Sequence, residues 1–403
     1  MHTSFAHRTS RRLDYAGVLI ALGYGAPTCA ATITVTSDAE AAFGAETLSK
    51  AVLEANAGDT IDFDLFYPAS IKFNFELIIS KDLTITGPGS DKLTLDGNHD
   101  SNFFMMQIAA GNTVTMSGLQ ISNAAALAID NMGTLTLNNV VVSSNSGCLS
   151  NKGTLTVNDS LFSQNSGPNF GGALVNYGHA TVSRSNFFNN SAAIGGAAAF
   201  TNTNATLVVN DSAFVSNLSG GGNEAGRGGA ILNFGNTTVN DSTFNGNVSA
   251  QFGTGGAIES NGTGTLSVNS STLNGNVAAN GGAGISNYGT ATVRRTIVSG
   301  SCIGTALVSA GDNIGTDASC FANSAALNDR QNLDPVFAGL GNYGGTTLTI
   351  GLRRGSPAID AVTVNAATCS GTDQRGAARP LGVRCDIGAF EFDSDPIFAN
   401  GFE

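Results

Sequence analysis

The chain contains no tryptophan, and only 12% of its 403 residues are charged. Basic residues are especially few: 18 Lys and Arg stand against 30 Asp and Glu, a formal net charge of -12. Because phosphates would be repelled, this charge excludes nucleic acids and anionic membrane surfaces as partners. No apolar run is long enough to span a bilayer, which excludes a transmembrane helix. Apolar residues nevertheless recur all along the chain, which indicates a folded protein.

The N-terminus has the pattern of an export signal. Arg8, Arg11 and Arg12 form a basic region, the apolar run AGVLIALGYGA follows, and Ala30 and Ala31 are small residues suited to cleavage. We therefore predict a signal peptide over residues 1–31 and an exported mature protein.

The cysteines that remain after cleavage fit no zinc-binding spacing. In an oxidising compartment, local disulfides Cys302–Cys320 and Cys369–Cys385 are favoured, although the sequence leaves other connectivities open. Cys148 is then left over as a small buried residue.

The middle of the chain repeats itself about every 20 to 30 residues. Strand-like phrases such as TLTVNDSLFSQN from Thr154 and TTVNDSTFNGN from Thr237 alternate with Gly-Gly phrases such as GGAI at Gly228. No helical pattern fits inside a repeat, a propeller blade needs about 40 residues, and the leucine spacing of leucine-rich repeats is missing. The sequence therefore predicts an all-β fold: a single-stranded, right-handed parallel β-helix in which each repeat forms one coil.

Aligned repeats place like residues in columns. Two columns are apolar and predict ladders inside the coils: Val157, Val182, Val209, Val239, Val268 and Val293, and Phe162, Phe187, Phe214, Phe244 and Leu273. A third column consists of asparagines whose amides can pair from coil to coil: Asn165, Asn190, Asn217, Asn247 and Asn276.

Both ends of a solenoid need cover, because they expose strand edges. The segment TLSKAVLEANAG, residues 47–58, predicts a short helix with an apolar face and a Lys50–Glu54 pair. We predict an N-terminal cap over residues 32–59, coils over 60–300, a C-terminal capping region over 301–392 and a sorting-like tail over 393–403.

Several phrases resemble known bacterial families. The GGAI and Phe-X-X-Asn phrases of residues 160–290 resemble the repeats of polymorphic outer membrane proteins. The ordered phrases GLGNYGGTTLTIGLRRGSPAID, TDQRGAARP and CDIGAFE resemble the C-terminal region of choice-of-anchor Q proteins, although Glu46 and Ser49 depart from that group's N-terminal motif. The resemblance implies an exported right-handed β-helix at or beyond the outer membrane of a Gram-negative bacterium, and it implies no catalytic residue.

The stretch CSGTDQRGAARPLGVRCDIGAFE favours a structural fastening over an active site, because it offers no cleft and no evident base. Its charged residues can pair with one another: Asp373 with Arg375, and Arg379 or Arg384 with Asp386 or Glu391. We expect Ile387, Ala389 and Phe390 to return as an edge strand over the last coil.

A charged column follows the strand-like phrases: Asp159, Arg184, Asp211, Asp241 and Arg294. A solvated turn ladder is the favoured interpretation of this column. If the protein is an enzyme, Asp211, Asp241 and Arg184 are the candidate catalytic residues, and the two aspartates offer a weak Ca²⁺ site. No other cofactor or metal is expected.

Aromatic residues at the Asn-X-Gly turns, Tyr177, Phe234 and Tyr288, offer a surface for sugar rings if they share one edge. Structural stacking of these turns is the alternative. We expect a monomeric, non-enzymatic, adhesin-like surface or secreted protein that binds a polysaccharide or a host or cell-surface protein. A carbohydrate-active enzyme and an inert stalk remain the alternatives.

Overall fold

The computed structural model describes residues 30–39, 46–99, 104–147, 149–221, 224–321, 327–364 and 369–393. Most of the predicted signal peptide, Cys148 and nearly all of the predicted tail lie outside these residues. Within the described ranges, no helix is long and apolar enough to cross a membrane.

The chain winds as a right-handed parallel β-helix, which confirms the predicted fold. Each coil contributes one strand to sheet I, then one to sheet II and finally one to sheet IV, and some coils add a strand to the short sheet III before sheet IV. Every one of these strands pairs in parallel with the corresponding strand of the neighbouring coil. Sheet I contains Thr32–Val35, Thr60–Phe63, Leu83–Thr86, Thr113–Ser117, Thr134–Asn138, Thr154–Asn158, His179–Ser183, Thr206–Asn210, Asn236–Asn240, Thr265–Asn269, Thr290–Arg294 and Val308–Ser309. Sheet II contains Ala69–Lys72, Leu93–Asp96, Gln120–Ser122, Val141–Ser143, Leu161–Ser163, Asn186–Phe188, Ala213–Val215, Thr243–Asn245, Thr272–Asn274, Ile297–Val298 and Ile314–Gly315.

The other two sheets complete the coils. Sheet III contains Ser166–Gly167, Ser191–Ala192, Leu218–Ser219, Val248–Ser249 and Val277–Ala278. Sheet IV contains Leu77–Ile79, Met106–Ile108, Ile129–Asn131, Leu149–Asn151, Leu174–Asn176, Ala199–Thr201, Ile231–Asn233, Ile258–Ser260, Ile285–Asn287 and Cys302–Gly304. An antiparallel hairpin, Phe337–Gly341 and Thr349–Leu352, lies outside the coils.

The predicted columns are the interior ladders of this solenoid. The valines pair coil to coil in sheet I, and the phenylalanine rings of sheet II stack with centroids 4.6–4.9 Å apart. Each stacked pair contributes about 0.5–1.5 kcal/mol beyond its burial. The asparagine amides form a continuous chain, as in Asn190 to Asn217 at 3.0 Å and Asn217 to Asn247 at 2.8 Å, which satisfies polar groups that water cannot reach.

The turn from sheet I to sheet II places one residue per coil in the left-handed conformation. Its φ is 50° at Asp159, 48° at Arg184, 51° at Asp211 and 44° at Asp241. A buried serine follows each of these residues, and its amide donates a hydrogen bond to the serine hydroxyl of the next coil, as Ser160 does to Ser185. We call the left-handed residues the turn column.

The predicted column is wrong by one residue at its end. Arg294 pairs with Asn269 inside sheet I, and Arg295, with φ 50°, is the residue in the turn column. The two arginines are adjacent in the sequence, and the strand pairing assigns the turn position to the second of them.

The predicted helix spans Leu48–Glu54, and the Thr47 hydroxyl accepts a hydrogen bond from the Lys50 amide at its start. Its buried face rests against the strands Thr32–Val35 and Thr60–Phe63. Thr32–Val35 already belongs to sheet I, so this sheet begins before the helix rather than at Thr60.

The expected placement of the C-terminal region over the last coil is wrong for its larger part. Cys302–Gly304, Val308–Ser309 and Ile314–Gly315 form a final coil, and Phe321, 1% exposed, joins the core beside it. Residues 337–364 and 369–393, which we call the C-terminal strap, instead turn back along the outer face of sheet II. Their hydrogen-bond partners on the coils lie in succession along the solenoid: Asn186, Ser212, Thr243, Thr272 and Arg295.

The expected edge strand at Ile387, Ala389 and Phe390 is also wrong, because this stretch is irregular and docks on the side of the coils. The outward residues of sheet II are small or apolar there, and Ala213, Thr243, Thr272 and Ile297 are at most 1% exposed under the strap. Burial of this face therefore favours the lateral position.

Candidate functional site

The C-terminal strap is tied to the coils through a buried glutamine. Gln374 is 2% exposed, and its side-chain oxygen accepts a hydrogen bond from Thr243 Oγ1 at 2.6 Å. Its amide donates to Thr347 Oγ1 at 2.9 Å and to the Leu348 carbonyl at 2.8 Å. One side chain thus joins the coil to two separate stretches of the strap.

Glycines allow these stretches to approach one another. A Cβ atom on Gly345 would lie 2.9 Å from the Arg375 Cα, so only glycine leaves room there. Gly388, with φ 104°, passes equally close to the coils, where a Cβ would lie 2.8 Å from Thr272 Oγ1. Gly345 of the NYGG phrase and Gly388 of the DIGAFE phrase therefore allow the strap to dock closely.

Arg379 is the charged centre of the docked strap. Its side chain is 3% exposed and lies 2.8 Å from Glu391 Oε2 and 3.2 Å from Asp241 Oδ1. It also donates to the carbonyls of Asp386 and Gly388. The second predicted pair is present as well, with Arg375 Nη2 2.6 Å from Asp373 Oδ2.

Three carboxyl groups crowd around this single guanidinium, and burial raises the pKa of each. The pKa is raised to about 7 for Asp241 and to about 7 for Asp386, which also feels the charge of Glu391. Burial likewise raises the pKa of Glu391. Since one guanidinium cannot neutralise all three, protonation of part of the cluster relieves their repulsion.

An open groove lies between the strap and the turn column. It consists of two adjoining clefts of about 320 and 270 Å³ that share Arg184 and Thr346. The first is lined by Asp159, Asn139, Ser160 and Asn186, among others, and the second by Asp211, Gly345, Thr372, Gln374 and Arg375. We call the two clefts together the turn groove.

An apolar cleft of about 230 Å³ extends the groove at Thr346. Leu161, Phe188 and Leu348 lie in its walls, and Phe188 is 38% exposed. An aromatic ring thus borders a strongly polar depression.

The polar wall of the turn groove is organised by Arg184. Its Nε and Nη2 atoms each donate to one Asp159 oxygen at 2.8 Å, and its side chain remains 45% exposed. Burial raises the pKa of Asp211 to about 6, although the nearby Arg184 opposes this shift. The groove therefore offers a fixed carboxylate, a guanidinium and a carboxyl group that exchanges its proton near neutral pH.

The structure brings two of the three candidate catalytic residues into this groove. Arg184 and Asp211 line it, whereas Asp241 lies one coil further along, beneath Arg379 of the strap. Sequence reasoning missed Thr346 and Gln374 because their place depends on where the strap docks. Asp159 was visible in the charged column, but nothing in the sequence distinguished it from its neighbours.

The three aromatic candidates occupy corresponding turns after sheet IV. The amides of Tyr177, Phe234 and Tyr288 each bond to a carbonyl of the preceding coil. They lie on alternate coils, separated by longer turns at 202–205 and 261–264. The three rings thus share one edge of the solenoid without forming a continuous platform.

The surroundings of these rings differ. Tyr177 is 48% exposed beside a cleft of about 220 Å³ that Pro168, Phe170 and Val175 also line. Phe234 lies 5.1 Å from the guanidinium of Arg227, which pairs with the buried Glu259 at 2.8 Å. Tyr288 is 45% exposed.

Two disulfides, Cys302–Cys320 and Cys369–Cys385, have the predicted pairing. The second closes the loop that carries Gln374, Arg375 and Arg379, so it restrains one wall of the turn groove. Across the described ranges, no group of three or more His, Cys, Asp or Glu side chains is arranged to hold a metal ion.

No protein-family model and no curated protein matches the chain. The resemblance to choice-of-anchor Q and polymorphic outer membrane proteins therefore rests on the short motifs alone. A crystal structure of pectate lyase Pel9A aligns with 90% of this chain and 96% of its own, at 15% identity and a TM-score of 0.49. A likeness at this level carries no argument about activity.

Proposed function

We propose that this is an exported polysaccharide-binding protein, and that the turn groove is its binding site. The observation that carries the proposal is the composition of the groove: a guanidinium, carboxyl groups and amides line an open, elongated depression, and Phe188 borders it. Sugars need hydrogen-bond donors and acceptors for their hydroxyls and an apolar surface for their ring faces. The two disulfides fit a secreted protein.

The shape of the site favours a polymer over a small molecule. The clefts follow one another around Thr346 instead of closing into a pocket. Solenoids characteristically use such extended surfaces to bind extended ligands. The C-terminal tail and the motifs shared with bacterial surface proteins favour a location on, or beyond, the outer membrane of a Gram-negative bacterium.

The aromatic edge is a second candidate surface for the same ligand class. The exposed ring of Tyr177 beside its cleft supports this surface, and Tyr288 supports a further contact. The longer turns between the rings favour separate short contacts over one continuous chain. A protein partner at a cell surface is the remaining alternative for this edge.

Binding to a panel of soluble polysaccharides separates these possibilities. The panel contains xylan, galactomannan, mixed-linkage β-glucan, homogalacturonan and alginate. In affinity electrophoresis, binding is measured as slower migration of the protein through a gel that contains the polysaccharide. Loss of one charge-assisted hydrogen bond costs about 1.5–3 kcal/mol, so we expect Arg184→Ala to weaken binding about tenfold or more. Phe188→Ala should also weaken it, whereas Tyr177→Ala and Tyr288→Ala should not.

Each contrary outcome has a defined meaning. If only the two tyrosine variants lose affinity, the aromatic edge is the binding surface and the groove assignment is wrong. If no polysaccharide slows the migration of the wild-type protein, the proposed function is wrong, and an inert stalk or a protein-binding surface becomes the favoured interpretation.

A further inference from the structure

Three successive coils place a carboxyl, a guanidinium and a carboxyl group along the turn groove. Asp159, Arg184 and Asp211 occupy equivalent positions of the turn column, and each lines one or both clefts. Parallel coils lie about 4.8 Å apart, so two coils separate the Asp159 and Asp211 backbones by roughly 10 Å. The guanidinium between them lies where the two clefts meet.

This spacing is informative because glycosidic bonds are hydrolysed by paired carboxyl groups at two characteristic separations. About 5 Å allows one carboxylate to attack the sugar directly and leads to retention of configuration. About 6.5–9.5 Å leaves room for a water molecule and leads to inversion. The backbone spacing of roughly 10 Å between alternate coils is closer to the longer separation, whereas the spacing of roughly 5 Å between adjacent coils is closer to the shorter one.

We propose that the turn groove hydrolyses a glycosidic bond with inversion of configuration, with Asp211 as the general acid and Asp159 as the general base. This inference rests on the proposed polysaccharide binding and adds an activity to the same site. The sugar chain would cross Arg184, with the bond to be broken over the junction of the two clefts.

Asp211 is placed to donate a proton. It lines the second cleft together with Arg184, Gln374 and Arg375. Asp373 and Arg379 of the strap and Asp241 of the next coil also act on its charge. Burial under the strap keeps its proton to a higher pH than an exposed aspartate would, as its pKa of about 6 expresses. An acid with such a value can protonate a leaving oxygen and be recharged from solvent near neutral pH.

Asp159 is placed to accept a proton from water. The two hydrogen bonds from Arg184 fix the position of its carboxylate. Each oxygen accepts one of these bonds and retains a lone pair for a water molecule in the first cleft. Arg184 therefore acts as a positioning residue for the base.

The step balances with water as the only co-reactant. A water oxygen attacks the anomeric carbon from the Asp159 side, and Asp159 takes up a proton from that water. The bond between the anomeric carbon and the bridging oxygen breaks, and the bridging oxygen receives the Asp211 proton. The products are a new reducing end and a free hydroxyl, and the proton on Asp159 returns through solvent to Asp211.

The adjacent pair Asp211 and Asp241 is the competing arrangement. Its backbone spacing of roughly 5 Å is close to the short separation that retention requires, but Arg379 lies 3.2 Å from Asp241 and the strap covers it. A sugar could reach both carboxyl groups only if the strap lifted. The two pairs therefore predict opposite stereochemistry.

The full mature chain is incubated with each polysaccharide of the panel, and new reducing ends are quantified. For a polymer that is cut, proton NMR follows the anomeric signal that forms first. We expect the inverted anomer, and we expect Asp211→Asn and Asp159→Asn each to lower the rate by about 100-fold or more while polysaccharide binding persists. Asp64→Asn, at an exposed position on the first coil, is the matched control and should cleave like the wild type.

The outcomes separate this inference from the proposed function. Binding without cleavage overturns the hydrolase inference and leaves the binding proposal standing, whereas absence of binding overturns both. A retained anomer, or full activity of Asp159→Asn, overturns the assignment of the alternate-coil pair. Unsaturated products instead of hydrolytic ones overturn the hydrolytic step.

Discussion

Arg379 should decide whether the C-terminal strap stays docked. Replacing it with alanine removes the partner of Glu391 and Asp241 together with two hydrogen bonds to backbone carbonyls. Breaking a buried ion pair costs about 3–5 kcal/mol, because the remaining carboxylates are left buried without compensation. Every 1.4 kcal/mol is a factor of ten, so local opening of the strap should become at least about a hundredfold more frequent.

Hydrogen exchange measured by mass spectrometry follows this opening. The Gly388 amide, bonded to the Arg295 carbonyl at 2.9 Å, and the Gln374 amide, bonded to the Ala389 carbonyl at 3.1 Å, should both lose protection. Peptides from the sheet I strands should not, because those strands pair with neighbouring coils independently of the strap.

Arg384→Ala is the matched control, since it removes the same charge from an exposed position of the same loop. The reasoning is refuted if Arg379→Ala leaves the exchange of the strap unchanged, or if Arg384→Ala accelerates it equally. Simultaneous loss of protection in sheet I would refute the description of the strap as a separately docked element.

The interior ladders and the buried carboxyl groups lead to three further predictions. Asn217→Leu removes hydrogen-bond partners from the buried asparagine chain, and each buried polar group left without a partner costs about 1–3 kcal/mol of stability. The urea midpoint should therefore fall far more than it does for Asn169→Ala, which changes an exposed asparagine. Phe214→Ala opens a cavity between two stacked rings and should cost about 3–5 kcal/mol in urea unfolding, and a cost below about 1 kcal/mol would contradict the continuous stack. The pKa values of Asp241 and Asp386 are raised to about 7 in the folded state, whereas exposed aspartates of the unfolded chain lose their protons near pH 4. Because the folded state holds more protons between these values, the free energy of unfolding should fall as the pH rises from about 4 to about 7. Urea midpoints at about pH 5 and about pH 8 test this sign, and Asp241→Asn should reduce the difference.

The coils could be predicted because they repeat. A valine or phenylalanine that returns in the same phrase identifies the interior of each coil, and the asparagine that follows identifies the turn. This information is local, and errors in it stay local: the misplacement of Arg294 by one residue leaves every neighbouring column intact.

The position of the strap could not be predicted, because it depends on a surface that the repeats create only when they are stacked. Ala213 and Thr243 are unremarkable within their own repeats, yet together they form the small, uncharged face on which the strap docks. For the same reason the sequence did not predict that Asp241 is buried in an ion pair, because its partner Arg379 follows the last coil in the sequence.

The candidate site could be predicted only in part, because it lies between the coils and the docked strap. One wall of the turn groove comes from the turn column and its neighbours on the coils, which the sequence displays, and the other comes from residues 344–346 and 372–376, which the sequence places elsewhere. The ion pairs of the strap could be predicted as pairs, since Asp373 and Arg375 are neighbours, but their role as a groove wall could not.

Hydrogen exchange of the wild-type chain, with and without the polysaccharide that it retains, tests the central claim most directly. The account predicts that bound polysaccharide slows exchange together at the turns around Asp159, Arg184 and Asp211 and in the strap segments 344–348 and 372–376, because both walls of the groove close on one ligand. Slower exchange confined to the turns around Tyr177 and Tyr288, with the groove unaffected, would contradict it.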